Sequence, residues 1–109
     1  MKFKQRFSAM QTQNDLPTIK EKLRQEFPLL AERYQVKSMG LFGSYVRHEQ
    51  RLDSDLDVLI TFHTTPGLLK FIELENYLAD LLGVKVDLVM KDALKPVIGK
   101  FILNEVVAV

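Results

Sequence analysis

Asp55 and Asp57 are separated only by Leu56. On a β-strand this spacing sends both carboxylates to one face and the leucine to the other, toward a core. Two such acids resist ionising together, and a hard divalent cation removes the conflict by supplying positive charge. Oxygen ligands without His or Cys point to Mg2+ or Mn2+ rather than zinc. Asp87 sits between Val86 and Leu88 in an apolar run, where an unpaired charge is costly and a metal or a reacting hydroxyl would compensate it. Upstream, Gly43 and Ser44 precede Asp55 by a gap of ten residues. A glycine lets the backbone approach a ligand closely, and N–H groups at a turn opening a helix are aimed at an anion, so the pair suits the phosphates of a nucleoside triphosphate.

Together these residues suit phosphoryl chemistry at two metal ions, one stabilising leaving pyrophosphate and the other activating an attacking hydroxyl, with a carboxylate to orient or accept its proton. Singly they are weak signals. A Gly-Ser pair is commonly a plain turn, and Ser54-Asp55 could cap a turn or helix. Their joint spacing, strand context and third acid favour an active site. Arg47 suits either phosphate contact or a surface ion pair. His48 and His63, lone histidines in polar loops, read as solvated.

The elements that must position these residues follow from periodicity. Leu16, Ile19, Leu23, Phe27 and Leu30 recur at helical spacing behind a cap at Asn14 or Asp15, and Pro28 predicts a kink or break. Val36 to Phe42 alternates as a strand, Gly43-Ser44 turns, and a short helix is expected around Tyr45 to His48, before a charged loop from Glu49 to Asp53. Asp55 to Phe62 reads as a buried central strand with its acids at the mouth. Leu68 to Leu82 reads as a helix stopped by Gly83, Val84 to Met90 as a third strand, and Pro96 to Glu105 as a last helix. The apolar tail Val106 to Val109 either completes the sheet or contacts another chain. This order predicts an α/β (α+β) fold, a small mixed sheet flanked by helices.

Length and composition set the frame. The chain has 109 residues, 47% hydrophobic and 27% charged, which suits one compact domain preceded by a polar arm over residues 1–14. Lys2, Lys4 and Arg6 with Phe3 and Phe7 could touch RNA, but an arm this small is more often solvated or docked on a partner. A formal charge of +1 gives no global case for nucleic-acid or membrane binding, and neither is expected. The absence of cysteine and of any signal-like or membrane-length apolar run favours the cytoplasm.

Gly43-Ser44, ten intervening residues, then Asp55-Leu56-Asp57 resembles the signature of the DNA polymerase β-like nucleotidyltransferase superfamily, with Asp87 in the place of its third carboxylate. The wider pattern, Gly40-Leu41-Phe42-Gly43-Ser44, Ser54-Asp55, Lys85-Val86-Asp87-Leu88-Val89 and Ile102-Leu103-Asn104-Glu105-Val106, resembles the minimal nucleotidyltransferase (MNT, MntA-like) antitoxins. The resemblance covers about Val36 to the end and implies a polymerase β-like fold, with the minimal nucleotidyltransferase domain expected over residues 15–109. It implies ATP as co-substrate, two Mg2+ ions with Mn2+ as a substitute, and pairing with a HEPN-domain ribonuclease toxin in a type VII-like toxin-antitoxin system. AMP would pass to a toxin tyrosine. By the same resemblance Gly43 and Ser44 hold the triphosphate, Asp55 and Asp57 the metals, Asp87 a metal and the acceptor hydroxyl, and Arg47 a phosphate or the acidic site. The sequence departs from the commonest pattern at Tyr45-Val46 and at His48, where a small residue and a glycine are frequent. Two alternatives stay open: a non-catalytic antitoxin that binds its toxin sterically, and transfer to a small-molecule hydroxyl.

Overall fold

The computed structural model describes residues 15–109, so the proposed arm lies outside the described residues. Helix α1, Leu16–Tyr34, is followed by β1, Val36–Phe42, then β2, Leu56–Phe62. Helix α2, Leu68–Leu82, leads to β3, Val86–Met90, and a 3-10 turn at Lys91–Ala93 precedes α3, Pro96–Glu105, and β4, Val107–Ala108.

The four strands form one mixed sheet in the order β3-β2-β1-β4. β1 is antiparallel to both β2 and β4, whereas β2 and β3 run parallel, as a strand-helix-strand connection through α2 requires. The C-terminal tail therefore completes the sheet, with Ala108 opposite Gly40 and Val107 opposite Leu41.

Alternation along β2 separates two faces. Leu56, Val58 and Ile60 are buried in one core with Ile19, Leu23 and Leu30 of α1 and Leu74, Leu78 and Leu82 of α2. Asp57, Leu59 and Thr61 lie on the opposite face. There Leu59 and Gly40 share a shallow cavity with Leu103 and Val106 of the C-terminal segment.

Asp15 caps α1, its carboxylate accepting from the Thr18 N–H at 2.9 Å. The break that Pro28 could have caused is absent: α1 runs as one element of 19 residues with Pro28 inside it. Pro28 removes one intrahelical donor, but Leu23 and Leu30 on either side are wholly buried and fix the helix against the core. Gln35, left-handed at φ 61°, ends α1, and Gly83, at φ 69°, ends α2. Among the described residues no helix is long and apolar enough to cross a membrane.

Candidate active site

Asp57 lies one residue into β2, between two strand neighbours: Phe42 of β1 on one side and Asp87 of β3 on the other, in direct register. Asp55 stands just before β2 rather than inside it, and the fully buried Leu56 separates the two acids. Asp57 is partly buried, while Asp55 and Asp87 are exposed. Burial, then the charges of Asp87 and Asp55, push the Asp57 carboxyl up from the ordinary 3.8 to about 6, only partly opposed by Arg47. Asp57 thus feels the charges of both other acids, and Glu105 adds to the same push. Asp87's exposure corrects the expectation that burial makes its charge costly; what ties it to the site is its register beside Asp57.

The glycine-serine segment closes over this group. Gly43 has φ +83°, and a Cβ built there would overlap the Asp57 Oδ2 atom, so both backbone conformation and carboxylate demand glycine. The expected short helix after it is instead a stack of turns: the N–H groups of Val46 and Arg47 both donate to the Gly43 carbonyl, and that of Glu49 donates to Ser44. His48, at φ 59°, adopts the left-handed conformation that ends the stack, at the position where a glycine is frequent. Tyr45 anchors the turn from below. Its ring joins the core at 3% exposure, and burial together with nearby Asp55 raises its phenol.

Glu105, the last residue of α3, joins the site although residue type and spacing give it no role there. Its Oε2 accepts from the Gly43 N–H at 2.6 Å and its Oε1 from Arg47 Nη1 at 2.7 Å. Arg47 also donates from Nε to Glu49 at 3.0 Å. The Arg47 and Gly43 bonds hold the Glu105 carboxyl below its usual range, and the same ion pairs hold Arg47 above its own. In the sequence it stands as a charge at the end of an amphipathic helix, inside the Ile102 to Val106 segment of the family resemblance, and the contact spans 62 residues.

A cleft of about 660 Å3 is lined among others by Tyr45, Gln50, Arg51, Lys85 and Ser54, which precedes Asp55 in the chain, but none of the three acids is in its lining. That volume is in the range of small-molecule sites. Among the described residues, no three His, Cys, Asp or Glu side chains are drawn together tightly enough to enclose an ion. The donor set nevertheless fits a hard divalent cation. It consists of carboxylate oxygens, and the burial and neighbouring charges that raise the Asp57 carboxyl are both offset by a positive charge.

Comparison with known proteins places this geometry in context. Residues 16–109 match the family model described as nucleotidyltransferase domain. The chain is 52% identical over 101 residues to the protein adenylyltransferase MntA of Thermococcus cleftensis, covering 93% of this chain and 99% of that protein. A solved structure provisionally described as a minimal nucleotidyltransferase superposes with a TM-score of 0.74 at 36% identity, covering 87% of this chain and 96% of the other. A chain from the crystal structure of a mutant MntA-HpeT toxin-antitoxin pair superposes with a TM-score of 0.58 at 25% identity, over 85% of this chain and 68% of that one.

Proposed function

The chain belongs to the nucleotidyltransferase-domain family, and within it to the minimal nucleotidyltransferases related to MntA, and from that premise we propose that it is an antitoxin that transfers AMP from ATP to a tyrosine of a HEPN-domain ribonuclease toxin. The observation that carries the catalytic part is the in-register pair Asp57 and Asp87, whose mutual repulsion helps to raise the Asp57 carboxyl to about 6. Asp55, Asp57 and Asp87 would hold the divalent cations, which supply charge stabilisation for the leaving pyrophosphate and lower the pKa of the attacking hydroxyl.

The chain's own residues then have separable tasks. The Gly43-Ser44 turn and Arg47 bind and orient the triphosphate. Asp87, exposed on the open face, orients the acceptor hydroxyl and takes its proton. The tyrosine oxygen bonds to the α-phosphorus, the bond from that phosphorus to the bridging oxygen breaks, and pyrophosphate leaves with the bonding electrons.

The partner has its own support. The MntA-HpeT structure is that of a toxin-antitoxin pair, and Val97, Ile98 and Phe101 leave apolar surface exposed on α3, which suits a protein contact. The test is transfer of label from α-labelled ATP to the purified partner ribonuclease, with Mg2+. Labelling is expected with the wild-type chain and is lost with Asp57→Asn. No label on the partner with intact wild-type protein would overturn the reading. Full protection of cells by the Asp55→Asn/Asp57→Asn double variant would favour steric capture instead.

A further inference from the structure

We propose that Glu105 is a positioning residue for nucleotide binding: its carboxylate, through the Gly43 backbone N–H, fixes the Gly43-Ser44 turn, and with its other oxygen fixes the Arg47 guanidinium, in the places from which turn and guanidinium meet the triphosphate. This rests on the nucleotidyl-transfer reading of the site and adds a residue that the three-acid pattern does not contain.

The two oxygens of Glu105 divide the work. Oε2 accepts from Gly43 at 2.6 Å and Oε1 from Arg47 at 2.7 Å. Gly43 is buried, so its N–H needs a partner, and Glu105 supplies it without a side chain at the glycine itself. Arg47 is exposed, and its guanidinium is held by Glu105 at 2.7 Å and Glu49 at 3.0 Å.

Glu105 is itself held. It is the last residue of α3, and the next N–H, that of Val106, donates to the Ile102 carbonyl at 2.9 Å. Val107 and Ala108 then pair with Leu41 and Gly40, just before the Gly43 turn. At 24% side-chain exposure it is more enclosed than Glu49, the other partner of Arg47, at 65%. An exposed pair such as Arg47 and Glu49 contributes little, so the two glutamates give a comparison within one structure. The anchoring also argues against a carboxylate that merely occupies the phosphate position and swings away when nucleotide arrives.

The experiment is equilibrium binding of ATP with Mg2+ by calorimetry on the full chain, with thermal melts of each variant. Glu105→Ala is expected to raise Kd about tenfold, as is Arg47→Ala. The double variant should bind no more weakly than the poorer single one, because both act through one contact. Glu105→Gln, which keeps an oxygen for Gly43, should recover part of the loss, and Glu49→Ala should stay within about twofold of wild type. Unchanged Kd in a folded Glu105→Ala protein would overturn the proposal, and tighter binding would overturn it by marking the carboxylate as a competitor of phosphate. If Glu105→Ala does not fold, the decision passes to Glu105→Gln, where wild-type or tighter affinity refutes it. Failure of the wild-type chain to bind ATP would remove the nucleotidyl-transfer premise as well. Normal ATP binding without labelling of a toxin would remove only the acceptor.

Discussion

Asp57 and Asp87 stand directly opposite each other on the parallel strands β2 and β3, so a residue from the middle of the sequence and one 30 positions later form a single acidic group. Neither strand alone would create it. The neighbours Leu56 and Leu88 are buried beneath, which fixes the facing of both acids through the pleat.

If this pair holds the metals, Asp57→Asn and Asp87→Asn each reduce nucleotidyl transfer by on the order of a thousandfold, since metal charge stabilisation amounts to several kcal/mol. Single-turnover transfer from labelled ATP checks this, with circular dichroism confirming an intact fold. A loss below about tenfold in both would remove the acids from the chemistry.

The raised Asp57 carboxyl gives a pH dependence with a definite sign. The folded state favours its protonated form, so this contribution to stability is complete below the unfolded pKa near 3.8 and is lost as pH rises through about 6. Asparagine mimics the protonated form. In chelator, Asp57→Asn should therefore melt a few degrees above wild type at about pH 8 and nearly together with it at about pH 4. A variant that melts lower at alkaline pH contradicts the assignment.

Mg2+ should act on the same repulsion. Adding it at about pH 8 is expected to raise the melting temperature of the wild-type chain, because a ligand that binds only the folded state stabilises it. Asp57→Asn should respond much less. Equal shifts in the two proteins would place the binding elsewhere.

Two glycines separate conformational strain from steric overlap. Gly83 has φ +69° with open space around it, so Gly83→Ala should cost about 1 kcal/mol of stability and leave activity unchanged. Gly43 has φ +83° and faces Asp57, so Gly43→Ala carries the same strain, displaces the carboxylate and should abolish transfer. Denaturant melts beside activity assays on the two variants make the comparison. Normal activity in Gly43→Ala would mean that the turn does not need its close approach to Asp57.

Much of this protein is legible in one dimension. The apolar positions Ile19, Leu23 and Leu30, the alternation of Val58 and Ile60 and the stop at Gly83 encode the main helices and strands, because local periodicity decides which face is buried. The spacing of Gly43, Ser44, Asp55 and Asp57 pointed to nucleotidyl transfer, the activity class of the family that residues 16–109 match, because the requirements of phosphate and metal ligands are written in residue types. Local rules failed where the tertiary structure overrides them. Helix α1 passes through Pro28 because the leucines on both sides are buried. The segment after Gly43 makes turns rather than a helix, with His48 left-handed.

Only the folded chain decided that Asp57 meets Asp87, that the C-terminal tail pairs with β1, and that Glu105 reaches Gly43 and Arg47. Register between strands and the reach of one side chain across 62 residues depend on how separate elements pack together. Composition and periodicity carry no record of that packing, so the sequence by itself determined which residues could do the chemistry, and the tertiary structure determined which of them share a charge.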